Sequence, residues 1–177
     1  MGQYYKVVIL SQSGDIIRAW VTPCYLKLME HSYQEEPFMN AIEHILSVYG
    51  MFYKSRIVWA GDYSTYEEYD EYTKKTQNLY NIAHEEHPIH KNKMLELTTL
   101  KSLPYIVNHS KKVFVDKTKE NEIHPLPLLV SEGNGQGGGD YYGKNEELCG
   151  TWSRDIISME SIIPEGYTEL LCQFKRE

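Results

Sequence analysis

The stretch Tyr4-Tyr-Lys-Val-Val-Ile-Leu-Ser-Gln-Ser-Gly-Asp-Ile-Ile-Arg-Ala-Trp-Val-Thr22 decides how the chain begins. Tyr4 to Leu10 is dense in β-branched and aromatic residues, which pack well on a pleated surface. Ser11 to Gly14 supplies turn residues, and Ile16, Ile17, Trp20 and Val21 resume the apolar run, so the segment predicts a β-hairpin. A second hairpin is predicted from Pro104 to His109 and Lys112 to Asp116, with Ser110-Lys111 near its turn. Arg56 to Ala60 is too short and too apolar for an amphipathic helix and predicts a buried strand that ends at Gly61. Leu126 to Val130 reads as an apolar strand, and Cys149 to Ser158 and Tyr167 to Phe174 as strand-like runs.

Between the hairpins the spacing changes. Phe38, Ala41, Ile42, Ile45, Leu46 and Tyr49 form one stripe behind Pro37, with Gly50 suited to the C-terminal cap, which predicts a helix over residues 37 to 49. Ser64 and Glu67 have capping-box spacing, and Tyr66, Tyr69, Thr73, Thr76, Tyr80 and Ala83 recur at three- and four-residue steps before Pro88, which predicts a second helix over 64 to 83. Shorter helical pieces fit Tyr25 to His31 and Lys93 to Leu100. Strands at both ends around central helices predict one α+β domain over residues 1–177. Its mixed or antiparallel sheet is built from two hairpins and C-terminal strands, packed on two or three helices. Both halves also end in W-x-x-D, at Trp59 to Asp62 and Trp152 to Asp155, a faint sign of duplication.

The chain has 177 residues and a net charge of −7, which disfavours a nonspecific nucleic-acid binder, because such proteins neutralise phosphates with clustered cations. No apolar run approaches the ~20 residues that span a bilayer, so no membrane partner is expected. Cys24, Cys149 and Cys172 make no CxxC pair, and reduced buried thiols are expected. With no secretory leader legible at Met1 to Lys6, the expected compartment is the cytoplasm.

Glu132-Gly-Asn-Gly-Gln-Gly-Gly-Gly-Asp-Tyr-Tyr-Gly143 holds six of the chain's 12 glycines. Glycines let backbone N–H groups approach a ligand. Gly133, Gly135 and Gly138 satisfy G-x-G-x-x-G, but no helix is predicted to start there and no G-K-[ST] follows, so a phosphate cradle, a structural or mobile surface loop, and a contact with some other ligand or partner all remain open. Gly-Asp-Tyr occurs twice, at Gly61 to Tyr63 and Gly139 to Tyr141. Asp62 ends a predicted strand, where binding carboxylates often sit, although Asp after Gly is also an ordinary turn residue. Two such carboxylates brought together could hold Mg²⁺ or act as an acid and base pair. The candidate catalytic residues are therefore Asp62, Asp140 and His124; the candidate ligand-binding residues are Trp59, Tyr63, Gly133, Asn134, Gly135, Gly137, Gly138 and Tyr141. His84, His87 and His90 lack the i, i+4 geometry of a helical zinc site, and no metal ligands or cofactor are assigned.

Tyrosine supplies 15 of the aromatic residues, and seven of these fall between Tyr49 and Tyr80. The segment from Asp62 to His90 carries seven acids against two bases. An acidic, tyrosine-bearing face suits a basic partner, or else packs its rings inward and turns its acids to water. Three blocks, Met1-Gly-Gln-Tyr-Tyr-Lys-Val-Val8, Val58-Trp-Ala-Gly-Asp-Tyr63 and Ile123 to Tyr141, give the chain a resemblance to a family of small proteins from bacteria and their phages. The resemblance implies a single domain and imports no activity. The expected function is a binding or interaction protein for an unidentified small molecule or protein partner. The alternative is a metal-assisted hydrolase or transferase acting on a phosphate-bearing ligand.

Overall fold

The structure is a computed structural model that describes residues 3–70, 75–83, 102–120, 122–133 and 139–177. Its centre is the predicted opening hairpin: β1 (Tyr5–Leu10) pairs antiparallel with β2 (Ile17–Val21), and its other edge pairs antiparallel with β3 (Ser55–Gly61) along its whole length. The second predicted hairpin forms as β6 (Tyr105–Asn108) and β7 (Val113–Asp116), and β10 (Ile156–Glu160) lies antiparallel beside β6. β10 meets β3 through Ile156 and Ile157, and β11 (Thr168–Glu169) adds parallel to β7, giving the order β11-β7-β6-β10-β3-β1-β2. The fold is α+β, as expected.

The strand order repeats itself about the β3/β10 seam. Each half is a hairpin whose first strand also pairs antiparallel with a third strand, reached after intervening helix. The W-x-x-D motifs do not mark this symmetry. Trp59 lies within β3, whereas Trp152 lies in turns ahead of β10.

Strand alternation sends Tyr5, Val7, Ile9, Ile57 and Trp59 to one face and Val8, Leu10, Val58 and Ala60 to the other. The first face carries the larger core, with residues from α1 (Leu28–His31) and α2 (Pro37–Ile45) and with Leu126, Leu128 and Leu129. The second packs Leu79 of α3 (Leu79–Ile82) and Ala83. The β1 and β3 strands are thus buried on both sides, which explains why they read as continuous apolar runs rather than alternating ones.

Four expectations are corrected. Residues 64 to 83 are not one helix: they form the hairpin of β4 (Tyr66–Asp70) and β5 (Lys75–Asn78), followed by α3, whose N-cap is Asn78. Tyrosine and threonine favour the pleated state, and that preference wins over the three-and-four spacing. Leu126 to Val130 is not a strand but α4 (Pro125–Leu129), begun by Pro125 at its first turn and capped by the His124 ring, which accepts from the Leu126 N–H. A fully buried run of this length has no periodicity that separates strand from helix. α2 stops at Ile45, and Tyr49 is 84% exposed rather than in the stripe; Gly50 is demanded by crowding, since a Cβ there would lie 2.2 Å from the His44 carbonyl oxygen. From Cys149 to Phe174 only Ile156–Glu160 and Thr168–Glu169 are strands, the intervening chain being turn and irregular. Lys93 to Leu100 lies outside the described residues.

Candidate functional site

The two Gly-Asp turns meet at the start of β1. Burial, then the Asp140 and Asp62 carboxylates, push the Tyr5 hydroxyl above its ordinary range. Tyr5 donates to Gln3 Oε1 at 3.0 Å. Gly133 and Gly139, at the two ends of the glycine-rich loop, lie against these side chains. A Cβ on Gly133 would come within 2.5 Å of Gln3 Oε1, and one on Gly139, whose φ is +59°, within 2.5 Å of the Tyr5 hydroxyl. Asp62 accepts from the Tyr4 N–H at 3.1 Å, and partial burial raises its carboxyl. Asp140 accepts from the Met29 N–H at 2.9 Å, at the first turn of α1, where a negative charge is favoured. Trp59 is fully buried, and its indole donates at 2.9 Å to Nε2 of His31, whose Nδ1 faces the Lys27 carbonyl at 2.7 Å.

His124 does not join this group. Its side chain is buried beneath α2 in a separate network, with Nε2 2.7 Å from Glu43 Oε1; Lys117, also buried, bonds the same oxygen. Ser102 and the Leu103 N–H bond the other carboxylate oxygen at 3.1 and 3.2 Å. Burial would raise the Glu43 carboxyl, but His124 and Lys117 outweigh it and hold it down to about 2, while burial lowers His124. With its ring at 0% exposure and both nitrogens bonded, His124 is a structural residue rather than a partner for Asp62 and Asp140. Tyr141 is likewise inward, its hydroxyl donating to the Lys144 carbonyl and accepting from the Lys175 N–H at 3.0 Å. That ties β9 (Gly143–Lys144) to β12 (Lys175–Arg176). Tyr63 is 53% exposed. Asn134, Gly135, Gly137 and Gly138, and His84, His87 and His90, lie outside the described residues.

Beside the turns lies a cleft of about 620 Å³ that local sequence signals missed. It exists because the free edge of β3 is shared. β10 covers Ser55 and Arg56, the Arg154 N–H bonds the Ile57 carbonyl at 3.0 Å, and β8 (Ser131–Glu132) then pairs in parallel with Trp59 and Ala60. Three segments line it: Ser64, Thr65 and Glu67; β8 with Gly133; and the turns that carry Cys149, Ser153 and Arg154. Arg154 sits at φ +63°, a left-handed conformation that costs a non-glycine residue free energy, and its side chain crosses the cleft. Its Nε and Nη2 reach Glu132 at 2.6 and 2.8 Å in a two-pronged pair, and Nη2 also bonds Glu67 of β4. Ser153 donates to Glu132 as well.

The serine expected to cap a helix has no helix to cap. The Ser64 hydroxyl is buried against this cleft and has no hydrogen-bond partner among the described residues, and Glu67, its expected capping mate, binds Arg154 instead. A buried hydroxyl without a partner costs about 1–3 kcal/mol, so it calls for an explanation. The legible hint was the second W-x-x-D, whose two middle residues, Ser153 and Arg154, line the cleft. Of the remaining thiols, Cys149 lines it and Cys172 is buried elsewhere, whereas Cys24 is exposed, contrary to expectation. Among the described residues no cluster of three or more His, Cys, Asp or Glu side chains has a metal-binding arrangement, and no helix is long and apolar enough to cross a membrane. No protein-family model, curated protein or solved structure matches the chain.

Proposed function

We propose that this is a cytoplasmic binding protein for a small polar molecule, held in the cleft between the Ser64 turn, β8 and the Cys149 to Arg154 turns. The observation that carries the reading is the unpartnered Ser64 hydroxyl, buried against a cleft whose size is that of a small-molecule site. The strained Arg154 backbone supports it, because strain of this kind collects where a side chain must be aimed. The glycine-rich loop contributes its first glycine, Gly133, to the lining, and the Asp62 turn leads directly into Ser64. The phosphate-directed enzyme reading has less support, since the cleft's guanidinium is already matched by two carboxylates.

The test is a thermal-shift screen of small polar compounds of every charge class against the wild-type chain and Ser64→Val. A ligand at a hundred times its Kd stabilises by about 2.7 kcal/mol, which for a chain of this length raises Tm by roughly 5–10 °C. Hits whose shift survives Ser64→Val undiminished would place the binding site elsewhere and overturn the proposal.

A further inference from the structure

We infer that the ligand of this cleft is uncharged and polyhydroxylated, a monosaccharide or the sugar portion of a larger molecule; the inference rests on the cleft being the binding site. It follows from the hydrogen-bonding groups left over once the internal bonds are counted. Arg154 spends Nε and Nη2 on Glu132 and Glu67, while Nη1, with two N–H donors, bonds nothing among the described residues. Glu67 accepts through Oε1, and its Oε2 takes no bond among the described residues, whereas Glu132 already accepts from Ser153 and twice from Arg154. The Ser64 hydroxyl can donate and accept, and does neither among the described residues. The cleft thus offers donors and acceptors side by side.

An anion such as phosphate presents chiefly acceptors and a net negative charge, and it would meet two carboxylates against one guanidinium. An ammonium suits that charge balance, but it only donates, so it leaves the Arg154 Nη1 donors unmatched and takes nothing from the Ser64 hydroxyl proton. A hydroxyl does both at one atom, and adjacent hydroxyls present the alternation that Nη1, Ser64 and Glu67 require. Thr65, Ser131 and Thr151 add hydroxyls to the lining, those of Ser131 and Thr151 donating to the Leu128 and Leu148 carbonyls and so left as acceptors; Cys149 adds a thiol, and a volume of about 620 Å³ admits one or two sugar rings.

The experiment maps backbone amide shifts of the full chain by NMR during titration with a panel of pentoses, hexoses and their methyl glycosides, with inorganic phosphate and spermidine as contrasts. Concentrations of about 10 mM saturate a site of millimolar Kd. The expected result is saturable movement of the Thr65, Gly133, Gly150 and Thr151 amides with at least one sugar and none with phosphate or spermidine. Ser64→Ala should weaken that sugar about tenfold, and Glu67→Gln should weaken it while leaving the spectrum folded. Cleft amides that respond to phosphate or spermidine and to no sugar would overturn the ligand class and keep the cleft. Sugar-induced shifts confined to another surface would overturn the cleft itself, and silence toward the whole panel would overturn the inference.

Discussion

His31 should make the protein lose stability on mild acidification. Its ring stacks on Trp59 with centroids 6.4 Å apart, meets Phe38 edge-on, and is wholly buried. The two nitrogens are committed: Nδ1 donates to the Lys27 carbonyl, so Nε2 must stay bare to accept the Trp59 indole. A second proton would set donor against donor, and burial pulls the ring's pKa down from 6.5 to about 4. The unfolded chain therefore takes up this proton at a pH where the folded chain does not. Stability is full above about 6.5 and falls as the pH drops toward 4, by about 1.4 kcal/mol per pH unit and about 3 kcal/mol in all. Urea unfolding at intervals from pH 7.5 to 4, on wild type and His31→Gln, isolates this contribution. Glutamine keeps an acceptor for the indole and does not titrate, so the other groups cancel in the difference. The gap between the two proteins should narrow on acidification; parallel profiles, or an NMR titration that puts the His31 ring itself at 6 or above, would refute the reasoning.

Glu120 works in the opposite sense. Burial raises its carboxyl to about 7 while the Phe174 N–H bonds it, so its stabilising protonated form is lost as the pH rises through 7, and Glu120→Gln should gain Tm over wild type at pH 8.5 relative to pH 6. An offset independent of pH would contradict this. Glu43→Gln leaves the buried Lys117 ammonium without its carboxylate and should cost about 3–5 kcal/mol in urea unfolding; a loss under about 1 kcal/mol would show that the pair carries little. Gly50→Ala forces a methyl to within 2.5 Å of the Ile45 backbone and should cost about 1–3 kcal/mol, whereas an unchanged melting curve would mean that the turn after α2 shifts freely.

Local pattern determined much of this protein. Both hairpins, the β3 strand and the start of α2 were legible because alternation, turn residues and an N-terminal proline act within a few positions. The Gly-Asp turns were legible as turns; the structure sets Asp62 on the Tyr4 N–H and Gly139 against the Tyr5 ring. Tertiary structure decided the rest. Residues 64 to 83 had helical spacing and a formal capping box, yet cross-strand pairing took the backbone and sent Glu67 to Arg154, 87 residues away. Leu126 to Val130 had no face to reveal, because every residue of it is buried. The cleft is assembled from three segments around 64, 132 and 152, joined only where β10 and β8 divide one edge of β3. Periodicity reports which side of an element is wet, whereas a binding site depends on which distant elements share an edge, and that is settled when the sheet closes its register.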